Sequence, residues 1–151
     1  MSTLYILDKN YRQEGNVVEI KMYNFKQMGD ERGTLVPIEA DIDIPFPIKR
    51  VYYMYDTGRG VRRGLHAHKT LQQVLICVHG TCKILLDDGN EKTIVELNQP
   101  NQGLYIGESM WREMFDFSED AVLMVMASDH YNEEDYIRDY NEFKLLYEEG
   151  Y

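Results

Sequence analysis

Short β-rich runs, separated by turn residues, recur along most of the chain from Asn16 to Ala127. They include NVVEIKMYNF, IKRVYYMYDT, LQQVLICVHG, TCKILLDD, EKTIVEL and AVLMVMAS. Asp88-Gly89 stands between two of these runs and is a strong signal for a tight hairpin. Strand signals spaced by roughly ten residues predict an antiparallel sandwich or barrel. Several runs are apolar at successive positions, which is typical of strands that lie between two layers.

The last twenty residues predict a different element. Asn132 is a candidate helix cap, and the acidic residues that follow it suit the positive end of a helix dipole. Aromatic residues then recur at helical spacing and predict one face that packs on the barrel or on a partner subunit. We therefore divide the chain into an N-terminal extension (1–15), a β-barrel (16–131) and a C-terminal helix (132–151). The aromatic stripe comprises Tyr136, Tyr140, Phe143 and Tyr147.

Charge and cysteine content limit the partners and the compartment. A length of 151 residues suits one domain, and the net charge of −10 argues against nucleic acid or an anionic membrane surface as a partner. No signal peptide and no membrane-spanning run is visible. Cys77 and Cys82 both lie in apolar, strand-like sequence, which predicts free buried thiols and a cytoplasmic protein.

Two histidines stand beside a local cluster of positive charge. Arg59, Arg62 and Arg63 fall within five positions, just before His66 and His68. Residues two apart in a strand point to the same face, so both imidazoles are expected to face either a cavity or solvent. We interpret the pair as functional, and the arginines as the place where an anion would bind.

The spacing of this segment resembles the first cupin motif, G-x5-H-x-H-x4-E-x6-G, from Gly60 to Gly80. Gln73 stands where metal-binding cupins carry a glutamate ligand. Arg112, in SMWREM, stands where a second motif would supply a histidine. A neutral amide and a permanent cation are poor replacements for metal ligands. We expect no metal and no other cofactor, and a pocket suited to an anionic organic substrate.

A narrower resemblance covers the chain from about Val17 to Phe143. The segments ERGTLVPIE, IPFPIKRVYYMYDT, RGLHAHKTLQQVLICVHGTCKILLDDGN and GLYIGESMWREMFDFSEDAVLMVMASDHYNEEDYIRDYNEF resemble the dTDP-4-keto-6-deoxy-glucose 3,4-ketoisomerases, the WxcM-like cupins. The resemblance implies an all-β, cupin-type jelly roll of two antiparallel sheets and a homodimer that swaps its N-terminal strands. It also implies metal-free transfer of a ketone from C4 to C3 of dTDP-4-keto-6-deoxy-glucose, in the biosynthesis of 3-amino-3,6-dideoxy sugars for surface polysaccharide.

This reaction needs groups that move protons and groups that stabilise negative charge on oxygen. By resemblance, His66 is the main base for the C–H proton, and His68 assists the proton transfer between oxygens. Arg63 and Arg112 are candidates for holding the enediolate oxygen.

Four further residues become candidates for substrate binding through the resemblance. Guanidinium groups present paired donors to oxyanions, so Arg32 and Arg50 are candidates for binding the sugar or the diphosphate. Tyr53 is a candidate cavity residue, in competition with the other tyrosines of its strand. Gln73 can orient a histidine or bind a sugar hydroxyl. Arg32 matches one pattern within the family and Arg112 the other, which leaves the C4 configuration of the product open.

Three other functions are compatible with parts of the sequence. A dTDP-4-keto-sugar 3,5-epimerase is the nearest, because RGLH also resembles that group, although HAH with LQQVLICVHG favours an isomerase. A non-catalytic nucleotide-sugar-binding cupin is the second, but no helix-turn-helix region accompanies the barrel. A metal-dependent dioxygenase is the third and would require a stoichiometric transition metal.

Overall fold

The computed structural model describes residues 3–6 and 19–149, and nearly all of its regular elements are strands. The predicted boundary between residues 15 and 16 lies outside these ranges. The strands are β1 (Thr3–Ile6), β2 (Lys21–Asn24), β3 (Met28–Asp30), β4 (Gly33–Leu35), β5 (Arg50–Met54), β6 (Arg63–His68), β7 (Gln73–His79), β8 (Cys82–Asp87), β9 (Lys92–Leu97), β10 (Gln102–Ile106), β11 (Trp111–Phe115), β12 (Val122–Ala127) and β13 (Tyr136–Ile137), followed by helix α1 (Tyr140–Glu148).

Two antiparallel sheets form the body of the molecule, which confirms the predicted all-β architecture. One sheet has six strands in the order β1-β2-β10-β7-β12-β5, and the other has five in the order β13-β6-β11-β8-β9. A separate hairpin, β3–β4, leaves the first sheet after β2. The predicted hairpin turn is also confirmed, since β8 and β9 pair on either side of residues 88–91 and Gly89 has a positive φ of 95°.

The runs of successive apolar residues are explained by three buried layers. Along β7, Leu75 and Cys77 point into the core between the two sheets. Val74 and Ile76 alternate with them and point to the other side, where Phe46 and its neighbours cover the six-stranded sheet. A third cluster covers the outer face of the five-stranded sheet and comprises Ala67, Trp111, Ile137 and Phe143. The strand β7 is therefore apolar on both faces because both faces are buried.

The C-terminal segment contains a helix that is shorter than the sequence predicts. Asn132 caps only a 3₁₀ turn at Glu133–Asp135, and α1 begins eight residues later with Asp139 as its cap. Between them, Tyr136–Ile137 pairs with β6 as a strand. The predicted start of the helix was wrong because hydrogen bonds to β6 and to the residues just after it hold this segment extended. Of the aromatic stripe, Phe143 is buried in α1, whereas Tyr147 is exposed.

Within residues 3–6 and 19–149, no helix has the length and apolar character needed to cross a bilayer. Cys77 and Cys82 are buried and are free thiols, as predicted.

A buried carboxylate fastens α1 to the barrel. The Asp87 side chain is 1% exposed and accepts a hydrogen bond of 2.6 Å from the Tyr140 hydroxyl. It also accepts one of 2.8 Å from the backbone N–H of Gly89, which shapes the β8–β9 turn. Burial and the neighbouring carboxylate raise the pKa of Tyr140 to about 12, so the phenol stays a proton donor at neutral pH.

Tyr140→Phe is expected to lower the free energy of unfolding by about 1–3 kcal/mol, because the buried Asp87 oxygen then loses its donor. Urea titration followed by far-UV circular dichroism measures the change. Tyr147→Phe is the matched control, since that side chain lies on the same helix and is 40% exposed. It should shift stability by less than about 0.5 kcal/mol. Equal losses in the two variants would contradict an anchoring role for Asp87.

Candidate active site

Polar side chains collect on the inner face of the barrel at one end of the apolar core. Ala67 points outward into the cluster beneath α1, so His66 and His68, on either side of it, point inward. Their ring centroids lie 4.8 Å apart in an edge-on arrangement. The two histidines therefore share one face, as their spacing predicts.

A backbone irregularity sets the orientation of His66. Gly64 and Leu65 have positive φ angles of 82° and 55°, and the register between β6 and β11 shifts at this point. A leucine in this left-handed conformation is uncommon, and such outliers tend to occur at functional sites. Here the irregularity lets His66 Nδ1 lie 2.9 Å from the carbonyl oxygen of Gly64. Because a carbonyl only accepts, Nδ1 carries the proton, and Nε2 of the neutral ring keeps a free lone pair.

The surroundings keep His66 neutral. Burial, followed by the positive charge of Arg112, lowers the pKa of His66 to about 4, although the Gly64 carbonyl opposes this shift. An imidazole of low pKa that lines a cavity is a candidate general base.

His68 lies deeper in the barrel and is 1% exposed. Its Nδ1 is 3.0 Å from a carboxylate oxygen of Asp135. Its Nε2 is buried and has no hydrogen-bond partner among the described residues. Burial, then the charges of Arg112 and of protonated His66, lowers the pKa of His68 to about 3, which makes this ring neutral as well.

Arg112 is a fully buried cation that contacts neutral groups. Its guanidinium donates to the carbonyl oxygen of Met110, at 2.9 and 3.3 Å, and to the side-chain oxygen of Gln73. The amide nitrogen of Gln73 in turn donates to the hydroxyl of Tyr52 at 3.1 Å. Within residues 19–149, no carboxylate forms an ion pair with Arg112. Burial lowers the pKa of Arg112 to about 10, so it remains charged at neutral pH.

A cavity of about 530 Å³ opens beside these groups. This volume is within the range that proteins use for small ligands. His66 lines the cavity, whereas His68, Gln73 and Arg112 lie behind its wall. Several cationic and aromatic side chains complete the lining, including Arg50, Tyr52, Tyr53, Arg63, Tyr136 and Arg138.

The structure thus brings together most of the residues predicted from the sequence. Arg50, Tyr53 and Arg63 line the cavity, although Tyr53 is 64% exposed and Tyr52 reaches deeper. Arg32 is the exception: its side chain is 84% exposed on the β3–β4 hairpin, where it pairs with Asp30. Arg32 does not line this cavity within its own chain, and its binding role stays a prediction.

Sequence reasoning missed three residues of the site. The segment after residue 132 was interpreted as a helix, so Asp135, Tyr136 and Arg138 were not considered as cavity or histidine partners. The Tyr136 ring lies 4.9 Å from that of His66 and 4.4 Å from that of His68, and Arg138 stacks on it at 4.2 Å. The aromatic residues of this segment recur at helical spacing, which favours a helix. The strand that forms instead, Tyr136–Ile137, is only two residues long and is too short to show a strand pattern.

The donors in this region do not fit a transition-metal site. Such sites take three or four imidazole, thiolate or carboxylate ligands. Across the part of the chain that the structure describes, no three histidine, cysteine or acidic side chains converge in this way. Beside the two histidines stand the Gln73 amide, already bonded to Arg112, and the Arg112 cation itself, which would repel a metal ion.

Comparison with known proteins identifies the family. The model of the family described as FdtA, WxcM-like, C-terminal matches residues 18–148. The TDP-4-oxo-6-deoxy-alpha-D-glucose-3,4-oxoisomerase of Aneurinibacillus thermoaerophilus is 54% identical over 127 residues, which is 84% of this chain and 91% of that protein.

Solved structures agree with this match. A mutant of the 3,4-ketoisomerase QdtA from Thermoanaerobacterium thermosaccharolyticum, in complex with TDP-4-keto-6-deoxyglucose, is 47% identical and superposes with a TM-score of 0.87, covering 90% of this chain and 99% of that one. A dTDP-sugar 3,5-epimerase from Legionella pneumophila reaches a TM-score of 0.71 at 19% identity, over 91% of this chain and 77% of that one, and shares the fold alone. The chain belongs to the FdtA, WxcM-like C-terminal family of cupin-type proteins.

Proposed function

We propose that this protein is a sugar 3,4-ketoisomerase that converts dTDP-4-keto-6-deoxy-glucose to the 3-keto isomer. The observation that carries the proposal is a neutral imidazole, His66, which lines a cavity, uses Nδ1 to donate to Gly64 and lies beside the cation of Arg112, which has no ion-pair partner among the described residues. Relatives that are 54% and 47% identical to this chain are named as 3,4-oxoisomerase and 3,4-ketoisomerase. The 3-keto product is suited to amination at C3, and we propose that the step serves the cytoplasmic synthesis of 3-amino-3,6-dideoxy sugars for surface polysaccharide.

The reaction is an internal exchange of hydrogens that needs no external oxidant. His66 Nε2 accepts the proton from C3, and the electron pair of that C–H bond forms a C3–C4 double bond while negative charge moves to O4. The hydroxyl proton of O3 is transferred to O4. The carbonyl then re-forms at C3 as the electron pair of the C3–C4 double bond takes the proton back from His66 at C4. Arg112 provides a fixed positive charge for the enediolate, placed before the reaction begins.

The cavity also supplies positive charge for the nucleotide. Arg50, Arg63 and Arg138 line it, and paired N–H donors suit the oxygens of a diphosphate. This local cluster explains how a chain with a net charge of −10 can bind an anion. We assign these three residues, together with Tyr53, to substrate binding.

An NMR assay of the purified enzyme with dTDP-4-keto-6-deoxy-glucose in D₂O, without added metal, tests the proposal. We expect the ketone to move to C3, with exchange at the carbon that is reprotonated. The same spectrum reports the configuration at C4. An epimerase would instead exchange the C3 and C5 hydrogens and leave the ketone at C4, and a non-catalytic binding protein would leave the substrate unchanged. Either result would rule out the isomerase.

His66→Asn is expected to reduce turnover by roughly 10²–10⁴-fold, because it removes the group that carries the C–H proton. The affinity for dTDP should stay within a few-fold, since His66 faces the sugar and the nucleotide binds through the arginines. Turnover is followed by NMR and dTDP binding by calorimetry. Retention of near-full activity would mean that another group is the base.

The low pKa of His66 predicts activity that persists in mild acid. A base must be unprotonated, so a pKa of about 4 keeps kcat/KM level from neutral pH down to about pH 5, and activity falls only below that. An unperturbed histidine would already lose half of its activity near pH 6.5. Circular dichroism at each pH controls for unfolding. A midpoint near 6.5 with the fold intact would contradict the proposed environment of His66.

We further propose a homodimer that exchanges its N-terminal strands. In support, β5 lies at an edge of the six-stranded sheet, and its apolar side chain Val51 is 54% exposed. At the opposite edge, β1 pairs with β2 through a register that a second copy could also supply.

A pair of cysteines tests the exchange of strands. Thr3 and Asn24 are register partners in the β1–β2 ladder, so Thr3→Cys/Asn24→Cys should oxidise to a disulfide. If strands are exchanged, a non-reducing gel shows a covalent dimer, whereas a strand that stays in its own chain gives a cross-linked monomer. Asn24→Cys alone is the control and should remain uncross-linked.

A further inference from the structure

A carboxylate outside the mechanism described so far contacts the deeper histidine. Asp135 ends the 3₁₀ turn that precedes β13, and its Oδ2 accepts from Nδ1 of His68 at 3.0 Å. Its Oδ1 accepts from the backbone N–H and from the hydroxyl of Thr70, each at 2.9 Å. Both carboxylate oxygens are therefore used, and both connect Asp135 to residues just after or within β6.

These contacts determine where the proton of His68 resides. An ionised carboxylate only accepts hydrogen bonds, so the ring nitrogen that faces Asp135 must be Nδ1–H. In the neutral ring, Nε2 then presents a lone pair. That atom is buried and has no partner within residues 19–149. Buried polar atoms are rarely left unpaired in native proteins, so an orphaned acceptor on the ring next to His66, at the wall of the cavity, indicates a group that a ligand supplies.

We propose that Asp135 is a positioning residue that holds His68 in the Nδ1–H form, so that Nε2 can accept a hydroxyl proton of the bound sugar. This inference rests on the proposed ketoisomerase function. In the balanced step, the O3–H proton moves to His68 Nε2, and the imidazolium then gives it to O4. The Asp135 carboxylate stabilises the imidazolium while it exists, as in other sites where a carboxylate orients a histidine base.

Asp135 is not needed to hold its own segment in place. The backbone oxygen of Asp135 accepts from Lys69 N–H at 2.9 Å, and β13 pairs with β6 through Tyr136 and Ile137. These backbone hydrogen bonds do not involve the carboxylate. A change confined to the side chain is therefore expected to keep the strand.

Asp135→Asn gives a sharp test because the surroundings dictate how the amide must lie. Thr70 N–H can only donate, so the amide oxygen of the variant must take that position and the NH₂ group must face His68. The NH₂ group donates to Nδ1 and forces His68 into the Nε2–H form, in which Nε2 no longer accepts. We expect kcat to fall by about 10²–10⁴-fold, with KM within a few-fold.

Tautomers are read independently of activity by long-range ¹H–¹⁵N correlation on ¹⁵N-histidine protein, with His68→Gln used to assign the signals. The wild type should show His68 protonated at Nδ1, and Asp135→Asn should show it protonated at Nε2. Asp139→Asn is the matched control, since this carboxylate lies four residues after Asp135 and caps α1 by accepting from Glu142 N–H. It should change neither the tautomer nor kcat.

Each outcome decides the inference. A wild-type His68 protonated at Nε2, or an Asp135→Asn enzyme with the wild-type tautomer and turnover, would overturn it even if the protein is a ketoisomerase. If wild-type protein leaves the ketone at C4, the proposed function fails, and the tautomer measurement still reports whether Asp135 orients His68. Loss of turnover together with the tautomer change, in a variant whose thermal melt is cooperative, supports it.

Discussion

The guanidinium of Arg112 is enclosed by the barrel and held by neutral oxygens alone. Removing a charge from water costs several kcal/mol unless an opposite charge compensates, and the contacts to Met110 and Gln73 offset only part of this cost. The uncompensated charge acts on everything around it. After burial, it is the largest influence that lowers the pKa of both His66 and His68. In the proposed mechanism it would also stabilise the enediolate, so that one costly group would prepare the base and the oxyanion site together.

The neutral amide at position 73 is part of the same arrangement. Gln73 orients Arg112 through its side-chain oxygen and is fixed in turn by Tyr52. A glutamate there, as in metal-binding cupins, would form an ion pair with Arg112 and cancel its field within the cavity. The histidines would then be easier to protonate, and a developing oxyanion would meet no net positive charge. Glutamine at position 73 therefore does more than remove a metal ligand, because it leaves the positive charge of Arg112 uncancelled.

How far the sequence predicts this site depends on which interactions are local. Alternation along a strand is local, so it correctly predicted that His66 and His68 lie on one face. The spacing of the cupin motifs correctly predicted that Gln73 and Arg112 lie close to them. The role of Asp135 depends on a contact across 67 residues of sequence, and its own neighbours carry helical periodicity. Tertiary hydrogen bonds overrode that periodicity. Arg32 shows the opposite case. The family resemblance predicts that it binds substrate, but within one chain it lies outside the cavity.

The closeness of the two imidazoles restricts the order of proton transfers in the proposed mechanism. Their ring centroids are 4.8 Å apart, and a proton on His66 lowers the pKa of His68. With Arg112 also nearby, a state with both rings protonated would place three positive charges in one buried space. In the proposed sequence His66 still holds the C3 proton while the O3 proton passes through His68, so the second imidazolium must be short-lived. The enediolate forms as His66 becomes charged, and O3 becomes negative as His68 takes its proton, so that each cation is matched by an anion when it appears.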